Sequence, residues 1–185
     1  MRNPPTSRFQ ATRIAMRVLT MLVALCFCLP VGADSGSEAA VKTAFLYNFF
    51  KFIDWPTPAG NTDSFQLCIA GAPNLESGLA VLSGKSVGDK ALKVVVDPDE
   101  AVLKQCQILY LGERENVGER LRANKGLPIV TVSDQPGFID RGGIIGFVEA
   151  DNRLGFEINL ETANKNGVHI NVPLLKLAQR VIGGR

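Results

Sequence analysis

Histidine is nearly missing from this 185-residue chain: His169 is the only one. Val168 and Ile170 flank it, which makes it one polar position of a short strand rather than half of a ligand pair or a poised base. Charge of one sign is missing as well. The 20 basic and 18 acidic residues nearly cancel, and dispersed arginines with no basic stripe argue against nucleic-acid binding. No apolar run approaches the roughly 20 residues that a membrane-spanning helix needs. No internal repeat and no low-complexity linker is present.

What is there begins with a leader. Arg2, Arg8, Arg13 and Arg17 stand in a segment without an acid, ahead of the almost wholly apolar stretch Val18 to Leu29. That stretch is about 12 residues long, too short for an anchor and right for the core of a signal peptide. Pro30 ends it, and Val31, Gly32 and Ala33 offer the small residues that a signal peptidase reads, so cleavage is expected after Ala33. Cys26 and Cys28 follow bulky Leu25 and Phe27, not the small residue expected before a lipidated cysteine, and are expected to leave with the peptide. The expected organisation is a signal peptide over 1–33 and one exported domain over 34–185, placed in the periplasm of a Gram-negative cell or secreted. Removing the four leader arginines leaves 16 basic against 18 acidic residues, a net charge of −2.

Cys68 and Cys106 remain, each in a predicted strand. Two cysteines in an exported domain most often pair, the alternative being two buried free thiols. Closing so long a loop would stabilise the fold by about 4 kcal/mol on the chain-entropy model. With both thiols spent in this way, no His, Cys, Asp or Glu cluster at ligand spacing remains, and neither a metal nor another cofactor is expected.

The spacing of Val41, Phe45, Phe49 and Phe52 predicts a helix over Ala39 to Ile53, ended by Trp55 and Pro56. Strands are predicted over Phe65 to Gly71, Leu92 to Val96, Cys106 to Leu111 and Pro128 to Val132. Between them lie short helical stretches over Leu75 to Leu82, Asp97 to Gln105 and Glu115 to Ala123. Beyond Gly137 the pattern changes: Gly143 to Glu149 and Arg153 to Leu160 are close enough to form an antiparallel hairpin. A helix around Leu160 to Lys165, a short extended piece and an amphipathic helix over Leu174 to Ile182 complete the chain. The expected fold class is α/β, a three-layer α/β/α domain with a mostly parallel sheet and an antiparallel C-terminal hairpin.

Candidates for chemistry are few. Gly84, Lys85 and Ser86 look like the end of a phosphate-binding loop, but the pattern needs a glycine where Leu79 stands. Ser133 and Asp134 follow directly on the fourth predicted strand, and ligands of open α/β sheets sit outside the carboxyl ends of strands. No histidine and no nucleophile-elbow glycine pattern accompanies Ser133, so the chain is not expected to be an enzyme. A plain alternative is a turn in which Asp134 caps the segment Gly137 to Ile139. In the hairpin, Phe156, Ile158 and Leu160 alternate with the polar face of Arg153, Glu157 and Asn159. The partner strand is apolar on both faces, with Ile145, Phe147 and Glu149 on one and Ile144, Gly146 and Val148 on the other. A hairpin at a sheet edge would have to cover such residues with another element or another protein, and would also permit a homodimer.

Taken in order, VKTAFLYNFFKFIDWP (Val41 to Pro56), FQLCIAG (Phe65 to Gly71), CQILYL (Cys106 to Leu111), PIVTVSDQPGF (Pro128 to Phe138), GGIIGF (Gly142 to Phe147) and FEINL (Phe156 to Leu160) resemble the YfiR family of periplasmic proteins. The match runs from about Val41 to Ala178. The resemblance implies a non-enzymatic repressor that binds the periplasmic sensor domain of an inner-membrane diguanylate cyclase and lowers cyclic-di-GMP signalling and biofilm formation. It further implies that a peptidoglycan-associated outer-membrane lipoprotein can sequester the repressor, and that damage to its disulfides can release the cyclase. Cys68 and Cys106 correspond to one such disulfide. Better-known members carry a second cysteine pair in the hairpin region, and this chain has no cysteine after Cys106.

A repressor needs an apolar anchor with a polar rim. Phe147 is expected to anchor and Glu157 to orient, with Glu149, Arg153 and Asn159 around them. The competing expectation is a small-molecule module in which Ser133, Asp134, Gly137 and Phe138 close over a ligand at the strand ends, alone or in control of partner affinity.

Overall fold

The computed structural model describes residues 35–56, 64–82, 84–150 and 153–184. The expected signal peptide over 1–33 lies outside the described residues, as do Asp151 and Asn152 of the hairpin turn.

Helix α1 (Ser35–Phe49) leads into the two-residue strand β1 (Ile53–Asp54) and then β2 (Ser64–Ala70). Two 3-10 turns, Pro73–Leu75 and Ala80–Leu82, flank α2 (Glu76–Leu79). There follow β3 (Ser86–Val87), β4 (Lys90–Val96), α3 (Glu100–Leu103), β5 (Ile108–Leu111), α4 (Val117–Ala123) and β6 (Val130–Ser133). A 3-10 turn over Ile139–Arg141 precedes β7 (Ile145–Ala150) and β8 (Arg153–Asn159), and α5 (Leu160–Lys165), β9 (His169–Ile170), α6 (Val172–Leu177) and β10 (Arg180–Ile182) complete the order.

Eight strands form one sheet in the order β10-β8-β7-β6-β5-β2-β4-β3. The run β7-β6-β5-β2-β4 is parallel throughout, while β7 and β8 pair antiparallel with Ile145 opposite Ile158 and Phe147 opposite Phe156. This is the expected mixed α/β fold. Parallel strands covered on both faces read as continuous apolar runs, and β2 and β5 divide theirs between two cores. Leu67, Ile69, Ile108 and Tyr110 join the larger core with Leu46 and Phe49 of α1 and Leu79 of α2. Cys68, Ala70, Leu109 and Leu111 join the smaller one with Leu103 of α3, Val117 of α4, Phe138 and Ile139. Burying each side chain of this size contributes about 1.5–3 kcal/mol.

Cys68 and Cys106 lie in the smaller core and are bonded, with Cα atoms 5.9 Å apart across a sequence separation of 38. The alternative of two free thiols is thereby removed. Short side chains start the helices: Asp99 accepts from the amides of Ala101 and Val102, and Asn159 from that of Thr162 at 2.9 Å. Each such cap contributes about 1 kcal/mol.

Three expectations change. The first helix ends at Phe49 instead of Ile53, because Ile53 and Asp54 are drawn into antiparallel pairing with Ile170 and His169. Its buried stripe is Ala39, Thr43, Leu46 and Phe49, and Val41 is 44% exposed. The amphipathic helix expected over Leu174 to Ile182 stops at Leu177. Ala178 turns extended, the Gln179 amide donates to the Phe156 carbonyl, and Val181 pairs parallel with Ile158. The free amides and carbonyls of β8 decide this, since an open strand edge gains hydrogen bonds that a longer helix would forgo. The hairpin consequently does not form the edge of the sheet; β10 does.

Candidate functional site

The chain runs from β2 outward to β4, then returns past β2 to build β5, β6 and β7 on the other side. Strand order therefore reverses between β2 and β5, and crevices at the carboxyl ends of strands beside such a reversal are where open α/β sheets bind ligands. A cavity of about 490 Å³ lies there, within the size range of small-molecule sites.

Three strand ends and one helix line it. Ala72 and Pro73 follow β2, Tyr110 belongs to β5 with Gly112 and Glu113 following, and Asp134 follows β6. Glu38, Ala39 and Lys42 of α1 form the opposite wall, positions three and four apart on one helix face. The β2 and β5 ends approach so closely that a side chain on Gly112 would overlap the Gly71 carbonyl and Ala72.

Lys42 crosses the space between helix and sheet. Its Nζ stands 2.5 Å from Asp134 Oδ2 and 2.7 Å from Glu38 Oε1, with only 12% of the side chain exposed. Burial by itself would depress the Lys42 pKa. The bonds to Asp134 and Glu38 together outweigh it and hold the ammonium above its ordinary value. Tyr110 is 3% exposed, and burial, followed by the negative charge of Asp134 beside it, pushes its phenol well above the ordinary range. The site at neutral pH thus contains an ammonium, a neutral phenol and three carboxyl groups, of which Glu113 has no ion-pair partner among the described residues.

Of the four residues expected at the ligand site, Asp134 alone lines the cavity. Ser133 is fully buried; its Oγ donates to the Leu111 carbonyl at 2.7 Å and accepts from the Gln135 amide at 3.2 Å. Gln135 then donates to the carbonyls of Gly112 and Glu115, strapping the β5 and β6 ends together. Phe138 belongs to the smaller core, and Gly137 makes an exposed turn with φ +66°. Asp134 does not cap the segment after Gly137, whose 3-10 turn has no side-chain cap; its carboxylate is held by Lys42 instead. Glu38, Lys42, Tyr110 and Glu113 were not singled out from the sequence. The i,i+4 spacing of Glu38 and Lys42 and the lone hydroxyl of the strand Ile108–Leu111 were the available signals.

The hairpin residues are scattered by the fold. Phe147, expected to anchor a partner, is 4% exposed. Its ring packs against Phe45, Phe49 and Tyr110 at centroid distances of 5.9, 6.1 and 6.3 Å, so in this structure it belongs to the core. Asn159 is buried, capping α5 with its oxygen and donating from Nδ2 to the Ile139 carbonyl. Glu157 is half-buried and, with Asp140, accepts from the Arg180 guanidinium, pinning β10 to β8. Glu149 and Arg153 stay exposed at the hairpin tip. Exposed apolar side chains occur nearby in sequence on α6 and β10: Val172 at 60%, Leu177 at 67% and Val181 at 38%.

Comparison with known families adds one finding. The family model described as YfiR/HmsC-like matches residues 39–179, which span every described element from within α1 to the approach to β10.

Proposed function

The chain belongs to the YfiR/HmsC-like family, and from that membership we propose that it is a non-enzymatic periplasmic regulator of cyclic-di-GMP signalling. It binds the periplasmic sensor domain of an inner-membrane diguanylate cyclase and holds the enzyme inactive. A peptidoglycan-associated outer-membrane lipoprotein is the second proposed partner, competing for the same chain. The observation that carries the reading is the family match over 39–179.

Physical features support a binding role. Val172, Leu177 and Val181 are exposed apolar side chains, and Glu149 and Arg153 are exposed charges at the hairpin tip, residue types from which protein interfaces are built. The proposed anchor is this exposed apolar surface of α6 and β10, since Phe147 is buried.

The test is made in cells and in vitro. Deleting the gene should raise cyclic-di-GMP, and the purified protein should capture a cyclase bearing a periplasmic sensor domain from solubilised membranes. Capture should weaken in Leu177→Glu and Val181→Glu variants that melt at the wild-type temperature. Unchanged cyclic-di-GMP after deletion would remove the proposal.

A further inference from the structure

Strand β10 is held at the edge of the sheet by backbone pairing and a polar latch, with little apolar burial. It pairs on one side only, with β8, over the three residues Arg180 to Ile182. Arg180 and Val181 are exposed, and Ile182 alone is partly buried, packed against the smaller core. The seat is nevertheless specific. The Arg180 guanidinium donates twice to the Glu157 carboxylate, at 2.9 and 2.8 Å, and twice to that of Asp140, at 3.0 and 2.9 Å. Gly183, with φ +73°, turns so close to α5 that a side chain on it would overlap Glu161. Two carboxylates matched to one guanidinium, and a slot that only glycine fills, fix which segment fits. The latch itself is weak, because 41% of the arginine side chain and 53% of the Asp140 side chain are exposed and such pairs contribute little in water. Beneath β10, β8 keeps the groups that an added strand needs. The Asn159 amide donates to the Ile144 carbonyl on the β7 side at 2.8 Å. The amide of the preceding Ile158 therefore points to the β10 side, where the Phe156 carbonyl accepts from Gln179 at 2.9 Å.

We infer that β10 is a releasable strap over a strand-binding site: with the Arg180 latch open, the β8 edge accepts an extended segment of a partner protein that presents an arginine to Asp140 and Glu157, followed by β-branched residues. In recognition of this kind, backbone pairing at a sheet edge supplies affinity and side-chain pockets supply specificity. The paired carboxylates select a basic segment. A second copy of the chain is the poorer source, since its β10 is tied to its own α6 through Ala178 and Gln179 alone, a reach of about 7 Å. One consequence rests on the regulatory reading: Val181 leaves with the strap, so an occupied β8 edge and capture through the proposed α6 and β10 anchor exclude each other.

The strap is tested on the disulfide-bonded ¹⁵N-labelled protein by amide hydrogen exchange. Arg180→Ala should speed exchange at Gln179 and Ile158 about fivefold and leave Asn159 unchanged. Raising salt from about 50 mM to about 1 M should accelerate the same two amides in the unaltered protein, a measurement that needs no variant to fold. The probe for the site is a synthetic peptide with the sequence of residues 179–184, QRVIGG. It should shift β8 amides saturably and bind about fivefold more tightly to Arg180→Ala than to the unaltered protein, because apparent affinity scales with the fraction of open edge. The same peptide with alanine for its arginine should bind about fivefold more weakly. Exchange at Gln179 and Ile158 that keeps pace with Asn159 under both changes would overturn the strap. No saturable binding of the peptide, equal affinity for protein and variant, or self-association of the variant without peptide binding would overturn the partner-strand site. None of these readouts involves the cyclase, whose own failure shows separately as unchanged cyclic-di-GMP after deletion.

Discussion

Lys42 and Asp134, 92 residues apart in sequence, meet through a single ion pair that ties α1 to the carboxyl end of β6. The pair is partly dry: 12% of the lysine side chain and 32% of the aspartate side chain are exposed. Asp134→Asn leaves a mostly buried ammonium with Glu38 as its one carboxylate. Allowing for solvent screening at the aspartate, the cost should be about 1–2 kcal/mol, measured by urea unfolding at neutral pH. The pH dependence has a definite sign. Lys42 is raised above 10.5 in the folded state, so the pair's contribution is complete below that value and is lost as pH rises through the elevated folded pKa. The gap between wild type and Asp134→Asn should therefore close in that alkaline window. A gap that stays constant well beyond it would mean the ammonium is not the group involved.

Tyr110 reports on the same spot. Burial first, and Asp134 second, push its phenol above the ordinary value of 10. The unfolded chain releases this proton above pH 10 while the folded chain keeps it, so stability falls as pH rises beyond that point. In a Tyr47→Phe background, phenolate absorbance from Tyr110 should not grow with pH until the protein unfolds. Adding Asp134→Asn removes one of the causes and should bring the titration to lower pH. A Tyr110 that ionises near 10 in the folded protein would contradict the burial described for it.

The parallel sheet was legible because strands such as Ile108–Leu111 are apolar on both faces, which only a two-sided cover explains. The disulfide was legible from the two cysteines left after the leader, although Cys106 lies just ahead of β5 and not within it. The site was mostly not. Asp134 could be found because it follows a strand, but its partner Lys42 comes from a helix 92 residues away, and a salt bridge leaves no trace in local pattern. The last strand was hidden for another reason: Leu174, Leu175, Leu177, Ala178, Val181 and Ile182 fit a helical stripe, and the open edge of β8, not the segment itself, draws Arg180–Ile182 into the sheet. The burial of Phe147 was not legible, because a strand apolar on both faces does not say which face the helix covers.

That burial makes a prediction about stability. Phe147 stands opposite Phe156 in the hairpin, and both rings touch Phe45 and Phe49 of α1, with Phe156 at 5.6 and 5.3 Å. Removing a ring from such a cluster loses both transfer energy and packing. Phe147→Ala should cost about 3–5 kcal/mol in denaturant unfolding, with the midpoint falling and the slope unchanged. A variant that keeps its midpoint and loses only a partner would return Phe147 to the interface.

The disulfide supplies the remaining test. Cys68 sits in β2, and Cys106 lies two residues ahead of the neighbouring strand β5, outside the strand predicted to begin at it; both belong to the smaller core. Its loop of 38 residues carries α2, β3, β4 and α3, including the β2 side of the cavity. Without the bridge, the unfolded chain regains the freedom of that loop, a loss of about 4 kcal/mol on the chain-entropy model. A Cys68→Ala, Cys106→Ala double variant removes the bridge without leaving a lone thiol, and its denaturation midpoint should fall by an amount consistent with that figure. Because β2, β5 and α1 are also held by packing in the larger core, native amide protection should survive in β6, β7 and β8 under mild conditions, and weaken first in β4 and α3. Uniform loss of protection across the sheet would show that the bridge is required for the fold as a whole and not for the loop it closes.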